Sequence, residues 1–459
     1  MSRYLIFAVA NLTMVFVAMA HTSVAVAFPV MTEELNASLV LTGWVLGAYQ
    51  LVMVAAVPLA GKAADTMGRK RVFVASLALF TGGSLLSAVA PNIGLLIAAR
   101  AIQGMGGGGL IPLSVAVVAD AFPDSRQRAI GLTSSFFPIG MIIGPNLGGW
   151  MVTALGWRSV LWLNVPFGIV LLLAILMLLK PRERVAGSLD LGGGGLLAGS
   201  ILGILAGLSV LDKGLTAPFI ATASVLVVLG IALAVAFWRR EKRVQQPLIE
   251  LDLLRGRPFV AANVYNFLYG LGVLGVVYLL PLYAVATYGS TTFESGVFLT
   301  PRSLGMMGAS IITSIYVMRW GYRRPIVIGA CLMIASTALL GAEPGREGGT
   351  TGLALLWLPL LIMGFSGLGA GIASPGSNNA CIELAPDKVA TITALRALFR
   401  QTGATIFITA GTLVLHFAGD MARGFRYLLL GTAVLMLLML PAAFIMPKGP
   451  NCSPEEGKE

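Results

Sequence analysis

The chain has 459 residues, of which 57% are hydrophobic and only 11% are charged, and its formal net charge is +11. Soluble domains contain about 25% charged residues, so this composition excludes a water-soluble globular protein, a disordered chain and a nucleic-acid-binding domain. The three cysteines and two histidines are too few and too widely spaced for a disulfide framework or a metal site. We expect no metal and no cofactor.

Fourteen stretches are each long and apolar enough to cross a bilayer, which takes about 20 helical residues. Because lipid offers the backbone no hydrogen-bond partner, each stretch is expected to be a helix, and the predicted fold class is all-α integral membrane. The first stretch is longer than a signal-peptide core, so we expect a retained helix. The predicted spans cover residues 4–28, 39–60, 72–90, 93–118, 128–152, 157–179, 190–211, 217–238, 258–284, 295–318, 325–342, 353–375, 391–416 and 425–446.

Loop charges predict the orientation of these spans. Most of the 31 Lys and Arg residues fall in loops on the same side as the N-terminus. Because cytoplasmic loops carry the excess of positive charge, both termini are expected to be cytoplasmic, in a multi-pass protein of the inner (plasma) membrane. The same bias accounts for the net charge, so no nucleic-acid partner is expected.

A pattern of four residues at the end of span 4 returns at the end of span 12 with the same spacing. Parallel repeats of this kind build many secondary transporters, with the substrate site between the halves. Spans 7 and 8 lie between the repeats and form an extra pair. The matched residues are Pro112, Asp120, Pro123 and Asp124 with Pro375, Glu383, Pro386 and Asp387, Gly140 with Gly403, and the turn 68–71 with 321–324. The predicted domains are a six-helix bundle 1–185, two additional helices and a linker 186–245, a second six-helix bundle 246–447 and a cytoplasmic tail 448–459.

The turn after span 2 combines Gly61, Asp65, Gly68, Arg69 and Lys70. Its glycines permit a tight turn, and a carboxylate there can pair with a base or with a helix N-terminus. We predict a gate hinge that also involves the acids at the end of span 4; a plain positively charged loop is the alternative. These two acids are Asp120 and Asp124.

Spans 4 and 5 carry two further motifs. Arg100 lies inside span 4, followed by Gln103 and Gly104, and a buried arginine is expected to face the protein interior or water. Span 5 has glycines at a spacing that lets another helix approach closely, together with a proline that bends it; ordinary helix packing is the alternative. The span 5 residues are Gly140, Gly144, Pro145, Gly148 and Gly149.

Polar side chains within apolar spans are candidates for lining a substrate cavity. Asn11 and Thr22 are three turns apart and share a face of span 1, while Asn263 and Asn266 share a face of span 9, beside Tyr269. Such a cavity suits a lipophilic substrate with few polar groups; hydrogen bonds between helices are the alternative. The remaining candidates are Tyr49, Gln50, Arg396 and Arg400. The two arginines serve either as gate ion pairs or as a site for an anionic head group.

The turn after span 2, the Arg-x2-Gln-Gly element of span 4 and the glycine string of span 5 together resemble motifs of the Major Facilitator Superfamily. With fourteen spans, three further segments resemble the fourteen-helix drug:proton antiporter family of multidrug efflux transporters. These segments are 156–168, 247–255 and 400–403. The resemblance implies alternating access, a gating role for the turn and a coupling role for Arg100.

The resemblance breaks down at one position of span 1. The family usually places a carboxylate where this chain has Ala20. His21 is then the titratable candidate in that span, because histidine has an unperturbed pKa of about 6.5. We predict that proton coupling depends on His21. The competing hypothesis is that His21 only hydrogen-bonds between helices and that transport is not proton-driven.

The sequence therefore predicts a secondary transporter that exports lipophilic or amphipathic small molecules by alternating access and proton antiport. The alternative is a carrier of lipids or lipid-linked molecules without conventional proton coupling. The sequence has no P-loop for ATP hydrolysis and no residue cluster that predicts an enzyme, and its repeat argues against a channel. Expected partners are a small lipophilic substrate or lipid, protons and membrane lipids, with a monomer as the functional form.

Overall fold

The structure is a computed structural model that describes residues 2–123, 129, 133, 136–179, 191–211, 216–244, 256–343, 353–384 and 389–449. Every regular element in these ranges is helical, and a π-helical turn, Gly270–Gly275, joins α10 to α11. In chain order the helices are α1 Ser2–Val26, α2 Phe28–Glu34, α3 Leu39–Met67, α4 Arg69–Ala88, α5 Ile93–Ala121, α6 Phe136–Leu155, α7 Arg158–Leu178, α8 Leu191–Val210, α9 Ala217–Glu241, α10 Arg257–Tyr269, α11 Val276–Tyr288, α12 Thr292–Val297, α13 Thr300–Trp320, α14 Arg323–Gly341, α15 Leu353–Glu383, α16 Val389–Phe417, α17 Met421–Met436 and α18 Met439–Ile445.

Eleven segments of the described chain are long and apolar enough to cross a membrane, which confirms an all-α, multi-pass membrane protein. Three more helices, α6, α8 and α13, contain 20, 20 and 21 residues and coincide with predicted spans 5, 7 and 10.

The chain forms two compact units. Unit 1 comprises residues 1–248, 291–297 and 408–416, and unit 2 comprises 249–290, 298–407 and 417–459. The short helix α12 and part of α16 therefore belong to unit 1. The predicted domain boundaries at 185/186 and 245/246 fall outside the described residues and stay predictions.

In unit 1, α5 packs against both α3 and α4. Glycines make this approach close, since a Cβ atom on Gly108 would lie 2.7 Å from Cβ of Ala56, and one on Gly107 would lie 2.7 Å from Oη of Tyr49. These helices could not meet in the same way if either glycine carried a side chain, because overpacking displaces the backbone.

In unit 2, α15 packs against both α13 and α14. The Tyr283 hydroxyl donates a hydrogen bond to the Leu340 carbonyl at 2.7 Å, and its ring meets that of Phe425 with centroids 5.3 Å apart. In the π-helical turn, a Cβ atom on Gly275 would lie 2.5 Å from Cβ of Phe407. The π-helical turn is therefore packed closely against α16.

Two helices extend beyond their predicted ends by about two turns, further than any other helix. α3 continues past Gly61 to Met67, and Gly68 alone, with a φ of 91°, forms the turn before α4. α15 continues through Pro375 to Glu383. Proline interrupts membrane helices less than soluble ones because neighbouring groups satisfy the freed backbone carbonyl.

Candidate functional site

The predicted gate hinge forms a compact network in unit 1. The guanidinium of Arg69 pairs with the carboxylate of Asp120 and donates a hydrogen bond to the Ala116 carbonyl at 2.7 Å. The ammonium of Lys70 donates to the Leu176 carbonyl at 2.7 Å. The first residues of α4 are thereby tied to the ends of α5 and α7.

Three other residues of the predicted hinge lie elsewhere or are not described. Gly61 lies within α3, where an added Cβ atom would have open space around it. The backbone of Asp65 lies in the last turn of α3, whereas the Asp65 side chain and the whole of Asp124 fall outside the described residues. The structure therefore assigns the turn itself to Gly68.

Unit 2 contains a counterpart of this hinge. Gly321 has a φ of 72°, and the hydroxyl of Tyr322, the next residue, donates a hydrogen bond to the Glu383 carboxylate at 3.3 Å. Burial and the nearby Glu383 carboxylate raise the pKa of Tyr322 to about 12. In each unit, the residue that follows the turn glycine thus contacts an acidic residue. The sequence repeat predicts that these two acidic residues, Asp120 and Glu383, are equivalent.

A buried polar cluster lies inside unit 1 where α1, α3 and α5 meet. The Nε2 amide group of Gln50 donates a hydrogen bond to the Nε2 atom of His21, because an amide nitrogen can only donate. The His21 ring also meets the ring of Tyr49, with centroids 5.2 Å apart. All three side chains are buried, which brings together polar residues from predicted spans 1 and 2.

Arg100 joins this cluster through its contact with Tyr49. Its guanidinium lies 4.2 Å from the centroid of the Tyr49 ring, which is a cation–π contact. Its Nε atom donates to the Val45 carbonyl at 3.1 Å, and its Nη1 atom bonds the side-chain oxygen of Gln103. Tyr49 thus contacts both predicted coupling residues, His21 and Arg100, an arrangement that no sequence spacing indicated.

The glycines of α6 define two packing faces. Gly140, Gly144 and Gly148 lie against α1, and a Cβ atom on Gly148 would lie 2.9 Å from Cβ of Ser23. On the other face, a Cβ atom on Gly149 would lie 3.2 Å from Cα of Phe293 in α12. Pro145 also belongs to this second face, since its carbonyl would meet a Cβ atom on Gly296.

Two predicted cavity residues of α1 lie in packed surroundings. The Thr22 hydroxyl donates to the Ala18 carbonyl at 2.9 Å and faces Gly144. The Asn11 amide donates to the Phe7 carbonyl at 2.8 Å. Neither side chain contacts the His21 cluster in the hydrogen bonds described, so the structure does not bring these predicted residues together.

In unit 2, the structure joins α10 to α16 through polar side chains. The Nε atom of Arg396 donates to Oδ1 of Asn266 at 3.2 Å, and Arg396 also bonds the side chain of Asn378. The guanidinium of Arg400 lies 3.8 Å from the centroid of the Tyr269 ring. Asn263 instead bonds its own helix, donating to the Phe259 carbonyl at 2.9 Å.

Sequence reasoning missed one member of this group. Arg302 in α13 is only 2% exposed, and its Nη2 atom donates to the Val273 carbonyl at 3.4 Å. The sequence indicated Arg302 only by its position within a predicted span. An arginine in lipid has a high free-energy cost, so an arginine inside a span is by default a candidate functional residue.

Apolar helices of bilayer length with buried polar clusters define a polytopic α-helical membrane protein. Residues 10–192 and 183–408 match the family model of the Major Facilitator Superfamily, and the chain belongs to this superfamily. It is therefore a transporter and not an enzyme.

Relatives with resistance functions match most of the chain. It is 33% identical over 399 residues to a multidrug resistance protein B homolog of Mycobacterium tuberculosis, covering 84% of this chain and 72% of that protein. It is 30% identical over 436 residues to the methylenomycin A resistance protein of Streptomyces coelicolor, covering 92% and 89%.

Solved transporters share the fold at low sequence identity. The E. coli xylose transporter XylE in a partially occluded inward-open conformation is 15% identical, with a TM-score of 0.63 over 97% of this chain and 98% of that one. A POT family transporter in complex with a thioalcohol-conjugated peptide is 16% identical, with a TM-score of 0.71 over 95% of each chain.

Proposed function

We propose that this protein is a secondary transporter that exports lipophilic or amphipathic small molecules by alternating access. It acts as a monomer with fourteen spans in the inner (plasma) membrane, and both termini are cytoplasmic. The similarity to multidrug and antibiotic resistance proteins over most of the chain carries the proposal. The three additional helices at predicted spans 5, 7 and 10 support the count of fourteen.

The paired hinges support an alternating cycle. Arg69 and Asp120 are 26% and 46% exposed, and exposed ion pairs contribute only about 0–1 kcal/mol. The Tyr322–Glu383 hydrogen bond is also a single contact. Contacts that contribute so little stability favour one conformation of the transport cycle by only a small difference in free energy. The other conformation therefore stays accessible.

We further propose that transport is antiport with protons and that His21 carries the coupling. Gln50 suits either protonation state of His21, because an amide offers both a donor and an acceptor. Its side-chain oxygen is buried without a hydrogen-bond partner among the described residues. A protonated His21 could therefore donate to that oxygen after rotation of the amide.

Reconstituted liposomes test the export function. Purified protein is expected to move a fluorescent lipophilic drug across the bilayer against an empty-liposome control, and faster with an imposed pH gradient. His21→Ala should remove the response to the gradient, whereas His416→Ala, the chain's other histidine, should retain it. Equal responses of wild type and His21→Ala would refute coupling through His21, and no movement of any drug would refute export.

A carrier of lipids or lipid-linked molecules is the second candidate. The observation that favours it is the group of arginines in unit 2, because their positive charge suits an anionic lipid head group. These arginines contact amide and aromatic side chains. The same liposomes loaded with a fluorescent lipid provide the discriminating measurement. Lipid movement without drug movement, and without any effect of pH, would favour this candidate over drug export.

A further inference from the structure

Three arginines of unit 2 contact α10 and the π-helical turn that follows it. Arg396 contacts Asn266, Arg400 contacts the ring of Tyr269, and Arg302 contacts the carbonyl of Val273. Asn266 and Tyr269 are spaced i and i+3 and share a face of α10, and Val273 lies in the π-helical turn Gly270–Gly275. We call this group the arginine ladder.

The contacts of α16 with α10 hold the ladder in place. A Cβ atom on Gly270 would overlap the carbonyl oxygen of Arg400, and one on Gly403 would lie 2.8 Å from the backbone nitrogen of Leu271. The backbones therefore touch, and Arg396 and Arg400, at i and i+4 of α16, both face α10. The ladder is thus built on packed helices and not on a loop.

Within the part of the chain that the structure describes, the ladder has no compensating negative charge beside it. None of its three arginines forms an ion pair within the described part of the chain, where the partners are amide oxygens, a backbone carbonyl and a ring. Every Asp or Glu of the described helices lies in the first or last turn of its helix. Three neighbouring positive charges without a partner anion are costly, because arginine stays protonated in proteins and like charges repel one another.

One donor of the ladder is also without an acceptor. The Nε atom of Arg400 is buried and has no hydrogen-bond partner among the described residues. Arg396 and Arg400 nevertheless keep intermediate exposure, whereas Arg302 is buried. Two of the three arginines are therefore only partly enclosed by the protein.

We propose that the arginine ladder binds the anionic head of an amphipathic substrate, such as a carboxylate, sulfonate or phosphate on a lipophilic body. Guanidinium groups form strong, directional hydrogen bonds to such oxygens. This assignment rests on the proposed transport function and names its substrate class: organic anions, and not the lipophilic cations for which a membrane carboxylate would be needed. Ala20, at the position where such a carboxylate was expected, agrees with this preference.

Two probes with the same body and opposite charge test the assignment. Full-length protein in phosphatidylcholine nanodiscs is titrated with 4-(1-pyrenyl)butanoate and with the corresponding pyrenylbutyl trimethylammonium, and binding is measured by fluorescence. Wild type is expected to bind the carboxylate about tenfold tighter or more. Arg396→Gln and Arg400→Gln should each weaken carboxylate binding about tenfold and leave the ammonium unaffected, while Arg400→Lys should retain much of the preference. Arg319→Gln, an exposed arginine of α13, is the matched control and should bind like wild type.

The ratio of the two affinities is the decisive quantity, because it does not depend on the fraction of folded protein. Equal affinities in wild type, or an unchanged ratio in both glutamine variants, would overturn the assignment and leave the arginines a purely structural role. Competition by phosphatidylglycerol added to the nanodiscs would identify a lipid head group as the anion, and lack of competition a free organic acid.

A parallel liposome assay separates this assignment from the proposed function. Export of a lipophilic cation with no preference for the carboxylate would overturn the ladder as an anion site while the export function stands. Failure to export either probe would count against the export function itself.

Discussion

Replacement of Gly144 by alanine tests the packing of α6 on α1. A Cβ atom at this position would overlap Oγ1 of Thr22 and would lie 2.7 Å from the carbonyl oxygen of Met19. Normal contact needs about 3.4 Å or more, so the backbones of the two helices must separate by about 0.7 Å. Overpacking of this kind costs about 1–3 kcal/mol.

Gly82→Ala provides the matched control in the same unit. Gly82 lies inside α4, and an added Cβ atom there meets nothing within 4 Å. Both substitutions gain the same helix propensity, about 0.5–1 kcal/mol, so the difference between the two variants isolates the clash. We expect Gly144→Ala to be less stable than Gly82→Ala by about 1–3 kcal/mol.

The difference is measurable by SDS-induced unfolding of purified protein in mixed micelles, followed by tryptophan fluorescence. Thr22→Ala removes the overlapping hydroxyl but not the Met19 carbonyl, so Gly144→Ala should cost less, but not nothing, in that background. Equal stability of Gly144→Ala and Gly82→Ala would refute the steric argument. Gly144→Leu, with a larger side chain, should abolish transport, and full activity of that variant would contradict the need for close α1–α6 contact.

Three further predictions concern the hinges. Asp65→Asn should nearly abolish transport in liposomes while the protein stays in the membrane, and normal turnover would mean that the turn carries only topological charge. Arg69→Asp and Asp120→Arg should each slow transport, and the double exchange should restore part of the rate; a double variant no better than the singles would argue against the ion pair. Folding favours the neutral form of Tyr322, whose pKa is raised to about 12. The stability that this shift contributes is therefore complete below pH 10 and is lost as the pH rises to about 12. Between these pH values the melting temperature should fall more steeply for wild type than for Tyr322→Phe, and equal slopes would show that ionisation of Tyr322 beside Glu383 does not limit stability.

The sequence predicted the helices well because each needs only length and apolar composition. Helix ends were less predictable. Gly61 began a predicted turn, but nothing stops α3 until Gly68, whose positive φ breaks the helix. Pro375 likewise does not end α15, since membrane helices accommodate proline through contacts that no local pattern encodes.

The candidate site was predictable by residue type but not by arrangement. An arginine or histidine in an apolar span signals a special position, which is how His21, Arg100, Arg396 and Arg400 were selected. Their partners depend on tertiary packing. Gln50 lies 29 residues from His21. Their contact depends on how α1 and α3 pack and cannot be predicted from helical periodicity. Their roles in coupling and binding stay predictions.

The arginine ladder has a consequence for how the protein is made. On the scale measured for insertion into the membrane, an arginine at the centre of a helix opposes insertion by about 2.5–3.5 kcal/mol. α16 carries two arginines, and its apolar part, Leu395–Phe417, is the least apolar of the eleven segments. α10, with a much more apolar continuation, leaves the ribosome first and offers Asn266 and Tyr269 as partners. We therefore expect α16 to enter the bilayer beside α10 and not alone, so that the order of synthesis itself assembles unit 2.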